Sequence, residues 1–126
     1  MPLTYRIDPE AQMLFVVGKG AITQAERIEA MRAWISDPLF RPGLNTLCDF
    51  SAATSTPSLD DLENIVRLIG QHSEAIGRKK TAIVTSQAVT FGVARQFQIL
   101  AESTPLTVGV FTDMESAVAW LREPRE

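Results

Sequence analysis

Residues 81–84, Thr81-Ala82-Ile83-Val84, form a short run without polar alternation, directly after Arg78-Lys79-Lys80. A strand wetted on one face alternates apolar with polar side chains, whereas a strand covered on both faces does not. The run therefore predicts a strand buried on both sides, as in a parallel sheet flanked by helices. Upstream, Leu62, Ile65, Val66, Ile69 and Ile76 form one apolar stripe at helical spacing, with Glu63, Asn64, Arg67, Gln71 and Glu74 opposite. Ser58 begins that helix. Asp60 and Asp61 lie in its first turn, where negative charge complements the helix dipole, and Gly77 suits its C-terminal stop. Before it, Leu44 to Phe50 reads as a strand, and Ser51 to Pro57 as a loop of small hydroxyl residues and alanines. Downstream, a helix is expected from about Val89 to Glu102, a strand from Leu106 to Phe111, and a last helix capped by Asp113 that carries Ala117, Trp120 and Leu121.

The start of the chain differs in pattern. Leu3 to Asp8 alternates apolar and polar residues, and Met13 to Val17 is denser in apolar ones. The short Pro9-Glu10-Ala11-Gln12 connection makes them an antiparallel hairpin, which Gly18 and Gly20 end. Thr23-Gln24-Ala25-Glu26 is a capping box, in which the Thr23 hydroxyl accepts from the Glu26 amide and the Glu26 side chain reaches back. Ala25, Ile28, Met31 and Ile35 then recur at helical spacing until Asp37-Pro38 stops the helix. The order is β-β-α-β-α-β-α-β-α: an α/β domain over residues 1–126 with a five-stranded mixed sheet covered by about four helices.

The chain has 126 residues, 45% hydrophobic and 21% charged, with a formal net charge of −3. That is globular composition, and disorder would need fewer aliphatic groups and more net charge. A nucleic-acid binder shows a basic face. Arg78-Lys79-Lys80 is the one dense basic run, and its place just before a strand predicts a solvated turn, so no nucleic-acid partner is expected. Cys48 is the single cysteine, which excludes an internal disulfide. Met1 to Asp8 carries no apolar signal segment, and no apolar run reaches the roughly 18 residues needed to span a bilayer. A cytoplasmic location follows as the expectation.

Several segments, taken together in order and spacing, carry a resemblance. They are Asp49-Phe50-Ser51 closing the third strand, Phe91-Gly92-Val93-Ala94-Arg95 opening the third helix, and Val110-Phe111 followed by Glu115-Ser116-Ala117-Val118-Ala119-Trp120-Leu121. With the element order, these make nearly the whole chain resemble the SpoIIAA-like branch of the STAS domains. The resemblance implies the fold of bacterial regulatory switch proteins, related more loosely to lipid-carrying domains. It also implies a small cytosolic binding or regulatory module rather than an enzyme. Anti-anti-sigma factors carry an Asp-Ser-Ser-Gly type segment at a phosphorylated helix start, and the corresponding stretch here, Ser55-Thr56-Pro57-Ser58-Leu59-Asp60, lacks it.

Open parallel sheets take ligands beyond the carboxyl ends of their strands. That rim would gather Asp49, Phe50, Ser51, Thr85, Ser86, Thr112 and Asp113 beside helix N-termini, which together suit a polar or anionic head group. The simpler role for Asp49, Ser58, Ser86 and Asp113 is to cap helices and turns. Ser58 is a phosphorylation candidate, although Asp60 and Asp61 would repel the phosphate. On the third helix, Val89, Val93, Phe97 and Leu100 suffice for a core stripe. Phe91, Arg95, Ile99 and Glu102 then fall outside it as an interface candidate.

His72 has neither orienting partner nor nucleophile at a readable spacing, Cys48 reads as a buried inert thiol, and one His with one Cys is too few for a metal site. The glycines form no phosphate-binding loop. No catalytic residue, metal or cofactor is expected. The first functional expectation is a regulatory or protein-interaction module without catalytic activity, with a homodimer or a protein partner. The alternative is a carrier of a small apolar or lipid-like ligand.

Overall fold

The computed structural model describes residues 2–124; Met1, Arg125 and Glu126 lie outside it. Strand β1 (Leu3–Asp8) and strand β2 (Met13–Gly20) form the hairpin, paired antiparallel from Leu3 opposite Gly18 to Asp8 opposite Met13. Helix α1 (Gln24–Ile35) follows, with both hydrogen bonds of the Thr23–Glu26 capping box in place. Then come β3 (Asn45–Ala53), α2 (Leu59–Gln71), the single turn α3 (Ser73–Ile76), β4 (Lys79–Val84), α4 (Ala88–Leu100), β5 (Leu106–Phe111) and α5 (Met114–Arg122). The sheet order is β1-β2-β3-β4-β5, with every pair after the hairpin parallel.

This order never reverses. Crossovers of one hand between successive neighbours deposit their helices on one face. Accordingly α1, α2 and α4 share the face built by Leu14, Val16, Cys48, Ile83, Leu106 and Val108. Helix α5 follows the last strand, returns to none, and packs on the opposite face. There Ala117 and Leu121 meet Leu47, Ala82 and Val84, and Trp120 lies against Phe111 with ring centroids 5.5 Å apart. The expected burial of β4 on both faces is thus achieved, and all six of its residues are buried.

Two local features differ from the sequence expectations. The second helix does not run through to Ile76. It breaks at His72, whose Nδ1 bonds the Leu68 carbonyl at 3.0 Å, and the chain resumes as α3, which ends at Gly77 with φ +68°. Gly18 does not end β2 but lies inside it, where the ladder with β3 shifts register between Val17 and Lys19. The Phe50 ring fills the space a side chain would take there. A Cβ on Gly18 would stand 2.6 Å from Phe50 Cδ1 and 2.8 Å from Ile22 Cδ1.

Overpacking of this kind costs about 1–3 kcal/mol. Gly18→Ala is expected to lower the unfolding free energy by that amount, seen as a lower urea midpoint at unchanged slope. An unchanged midpoint would show that Phe50 moves aside freely.

Candidate functional site

On the face that carries three helices, α2 approaches α4 closely but stands off from the strands. Between it and the sheet lies a cavity of about 180 Å³. Its floor is Cys48 and Phe50 of β3 with Thr81, Ile83 and Thr85 at or just beyond β4. Met31 and Trp34 of α1, Leu62, Ile65 and Ile69 of α2, and Val93, Ala94 and Phe97 of α4 close the sides and roof. One end is framed by the loop before α2 and by Arg27. The Ser55 hydroxyl accepts from the Ile22 amide at 2.8 Å and donates to the Ile22 carbonyl at 3.1 Å, which pins that loop to the start of α1. Arg27 donates to the Ile22 carbonyl at 2.9 Å and to Gln24 at 3.2 Å, with Asp61 at 3.9 Å. Burial lowers the Arg27 pKa somewhat, partly offset by Asp61 and Glu26.

Strand β4 supplies the polar groups of the floor. Side chains alternate along a strand, so Lys79, Thr81, Ile83 and Thr85 face the cavity while Lys80, Ala82 and Val84 face α5. Neither lysine lies in a solvated turn, as Arg78-Lys79-Lys80 was expected to do: Lys79 is 5% exposed and Lys80 6%. The strand simply starts two residues earlier, at Lys79.

The two ammonium groups have different fates. Lys80 Nζ donates to the carbonyls of Trp120 at 2.8 Å and Glu123 at 2.7 Å and lies 5.1 Å from the Trp120 ring. It therefore caps the C-terminus of α5, where free carbonyls and the helix dipole favour a cation. Lys79 Nζ donates to Thr46 Oγ1 at 2.8 Å and lies 5.7 Å from the Phe40 ring. Among the described residues no carboxylate comes within ion-pair distance of it. Burial lowers its pKa to about 8, with the Cys48 thiol a smaller opposing influence. The same burial pushes Cys48 up to about 12, only partly countered by Lys79. The Cys48 thiol is therefore protonated at neutral pH and a poor nucleophile. Thr81 Oγ1 and Thr85 Oγ1 are buried without a hydrogen-bond partner.

The residues of the expected rim site divide. Phe50 and Thr85 line the cavity. Asp49 accepts from the Ser51 amide at 3.1 Å and its hydroxyl at 2.6 Å, while Ser86 donates to the Ser51 carbonyl at 2.7 Å. Asp113 caps α5 through the Ser116 amide at 2.7 Å, and Thr112 is exposed. Ser58 caps α2, accepting from Asp61 N at 3.1 Å, and Asp61 reaches back to the Ser58 amide. A crevice at the rim needs a reversal of strand order, and this sheet has none. The open volume lies beneath the helices instead.

On α4 the fully buried residues are Thr90 and Ala94, continued by Ala101; of the expected stripe Val89, Val93, Phe97 and Leu100, Val93 and Phe97 face inward and line the cavity, Leu100 is half-buried and Val89 is exposed. Small residues let the helix approach β5, where Gln98 Nε2 donates to the Val108 carbonyl at 2.7 Å. Val89 is therefore 70% exposed and Ile99 63%. Arg95 and Glu102 are exposed, and Phe91 is half-buried.

The comparisons with known proteins concern the fold. The chain is similar to an uncharacterised protein of the DUF3478 family with a SpoIIAA-like fold from Shewanella loihica PV-4. The TM-score is 0.62 and the identity 18%, over 94% of this chain and 93% of that one. The fold is α/β and SpoIIAA-like. No family model and no curated protein matches the chain. No helix among the described residues is long and apolar enough to cross a membrane, and no three His, Cys, Asp or Glu side chains among them group to hold a metal ion.

The Lys79 environment predicts a pH signature. Its folded pKa of about 8 lies below the ordinary 10.5, so between these values the unfolded chain binds more protons and stability rises with pH. Cys48 opposes this above pH 9.0, its ordinary value, because its folded pKa is raised to about 12. Lys79→Met is expected to be more stable than the native chain at pH 7 by about 2 kcal/mol. Denaturant titrations from pH 7 to 10 should show that gap shrinking once pH passes 8. A constant gap would mean that Lys79 is not desolvated.

Proposed function

We propose that this chain is a non-catalytic, cytoplasmic binding protein for a small apolar ligand held between α2 and the sheet. One observation carries the reading: a cavity of about 180 Å³ whose wall is mostly aliphatic and aromatic, with Thr46, Lys79, Thr81 and Thr85 among its few polar lining residues. Well-packed domains leave few voids larger than a water molecule. An apolar cavity of about 150 Å³ stays dry and binds benzene, which by proportion gives this one room for roughly seven non-hydrogen atoms. The chemistry of the groups around it supports binding over catalysis. The Cys48 thiol on its floor is held protonated, and the one histidine, His72, lies outside its lining with the ring bound to the Leu68 carbonyl. The polar groups of the rim cap turns and helices rather than converging on a reacting atom.

A second reading, a regulatory or protein-interaction module that self-associates, is favoured by one observation. Val89 and Ile99 are exposed on α4, bordered by Phe91, Arg95 and Glu102. Contiguous apolar patches on a wetted face mark interaction sites. Sedimentation of the native chain beside Ile99→Ser separates the two readings: a dimer that Ile99→Ser dissociates supports the second, and a monomer in both removes it.

The ligand reading is tested by filling the cavity. Ala94 is buried on α4 and faces the void. Ala94→Phe is expected to weaken binding of toluene, followed by chemical-shift titration, by at least about tenfold while the sheet resonances persist. Toluene shifts confined to other surfaces of the native protein would defeat the proposal.

A further inference from the structure

The lysine pair poses a question that the apolar cavity alone does not answer. Lys79 and Lys80 are adjacent, both buried, and identical in chemistry. Lys80 is matched to two helix-end carbonyls and a ring. Lys79 has one hydroxyl acceptor and a distant ring for its three donors. It lines the cavity, and two residues along the same face of the strand Thr81 Oγ1 is buried with no partner at all. Thr46, which accepts from Lys79, sits opposite Thr81 in the parallel ladder. A buried ammonium and a buried hydroxyl, both short of acceptors, therefore share one patch of an otherwise apolar wall. Buried polar groups are normally satisfied, and those that are not call for an explanation.

We infer that Lys79, Thr81 and Thr46 form a head-group site for a carboxylate, so that the ligand is a short-chain monocarboxylate whose hydrocarbon part fills the cavity. This rests on the apolar-ligand reading and adds the head group to it. A carboxylate offers acceptors only. One oxygen takes a charge-assisted hydrogen bond from Lys79 Nζ, and the second oxygen takes the Thr81 hydroxyl, while Thr46 keeps the ammonium oriented. Lys79, the one cavity-lining cation without a carboxylate nearby among the described residues, balances a single negative charge. A phosphate monoester would bring a second charge that Lys79 alone cannot balance, at the high cost of an unpaired buried ion. The hydrocarbon part then lies along Ile83 towards Thr85. Lys79, Thr81, Ile83 and Thr85 follow one another along one face of the strand, so the head group and the hydrocarbon part lie in line along the floor. Arg27 also lines the cavity but is held by Ile22, Gln24 and Asp61, which leaves Lys79 as the cation in need of an anion.

The test compares hexanoate with 1-hexanol by chemical-shift titration of the native chain and of Lys79→Met, Thr81→Val and Arg27→Met. The expected result is that hexanoate binds the native chain roughly tenfold tighter than 1-hexanol, as a charge-assisted hydrogen bond allows, with shifts at Thr46, Lys79 and Thr81. Lys79→Met should reverse the preference, and Thr81→Val should weaken hexanoate several-fold while sparing 1-hexanol. Arg27→Met should leave the preference intact. Equal binding of the two probes, or a preference lost in Arg27→Met and kept in Lys79→Met, would overturn the head-group site and leave the apolar cavity standing. Binding of neither probe would overturn both. Should Lys79→Met fail to fold, the Thr81→Val comparison decides alone.

Discussion

Strand β4 must be dry on both faces, and the rest of the structure answers to that constraint. Three parallel ladders link β2 through β5, and β4 sits between β3 and β5 with helices above and below. A strand so placed cannot hide a charge by turning it outward, because its alternation sends successive side chains to opposite buried faces. Two lysines at its start therefore each need a solution inside the protein. On the α5 face the solution is complete: the helix ends where Lys80 can take its free carbonyls, and Ala117 and Leu121 pack the same helix onto the sheet. On the other face the solution is partial, and the void lies on that same side.

The void follows from topology. Without a reversal of strand order, the crossover helices crowd onto one face. Three helices over a five-stranded sheet must share it, and α2 rides outward against α4. Its inward residues, Leu62, Ile65 and Ile69, line a space they do not fill. Ser55 and Gln24 hold this arrangement from the rim. Ser55 bonds both backbone groups of Ile22, and Gln24 Nε2 donates to the Asp61 carbonyl at 2.9 Å. These bonds tie the start of α2 to the start of α1 rather than to the sheet. Collapse of α2 onto the floor would break them.

Much of this was legible in the sequence, and the exceptions share a cause. Periodicity and capping chemistry located the hairpin, the Thr23 capping box, the helix start at Ser58, the doubly buried strand and the element order, because each of those is decided by neighbours in the chain. Lys79 and Lys80 misled because charge is read as exposure, and only the three-dimensional partners of Lys80 make its burial affordable. The face of α4 was placed only in part: Val93 and Phe97 turn inward as expected, but a search for large apolar residues passes over Thr90, Ala94 and Ala101, whose smallness brings the helix close to β5, and it wrongly includes the exposed Val89. For the site, Phe50 and Thr85 were named as part of a polar rim, yet they line an apolar chamber. That chamber depends on how far α2 stands from the sheet, a distance no local pattern encodes. The signal that was available is Lys79 and Thr81 at spacing two in a strand otherwise apolar on that face. Period-two reading places both on one wall with Ile83 and Thr85.

The energetics of that wall favour a ligand over a packing fault. A domain is stable by only about 5–15 kcal/mol, and an incompletely solvated buried ion costs several kcal/mol of it. Thr46 and Phe40 recover part of that cost for Lys79, but neither carries a countercharge. The unpartnered Thr81 hydroxyl adds to it, and the cavity forfeits the dispersion contacts that a filled core would have. Each of these costs has a simple local remedy, such as an aliphatic side chain at 79 or 81 or a larger one at Ala94. A single bound molecule with an anionic end and a short apolar body would relieve all three together. The Lys79, Thr81 and cavity deficits adjoin one another in space, as a common cause requires, while the Thr85 hydroxyl, also unpartnered, lies at the far end of the same wall.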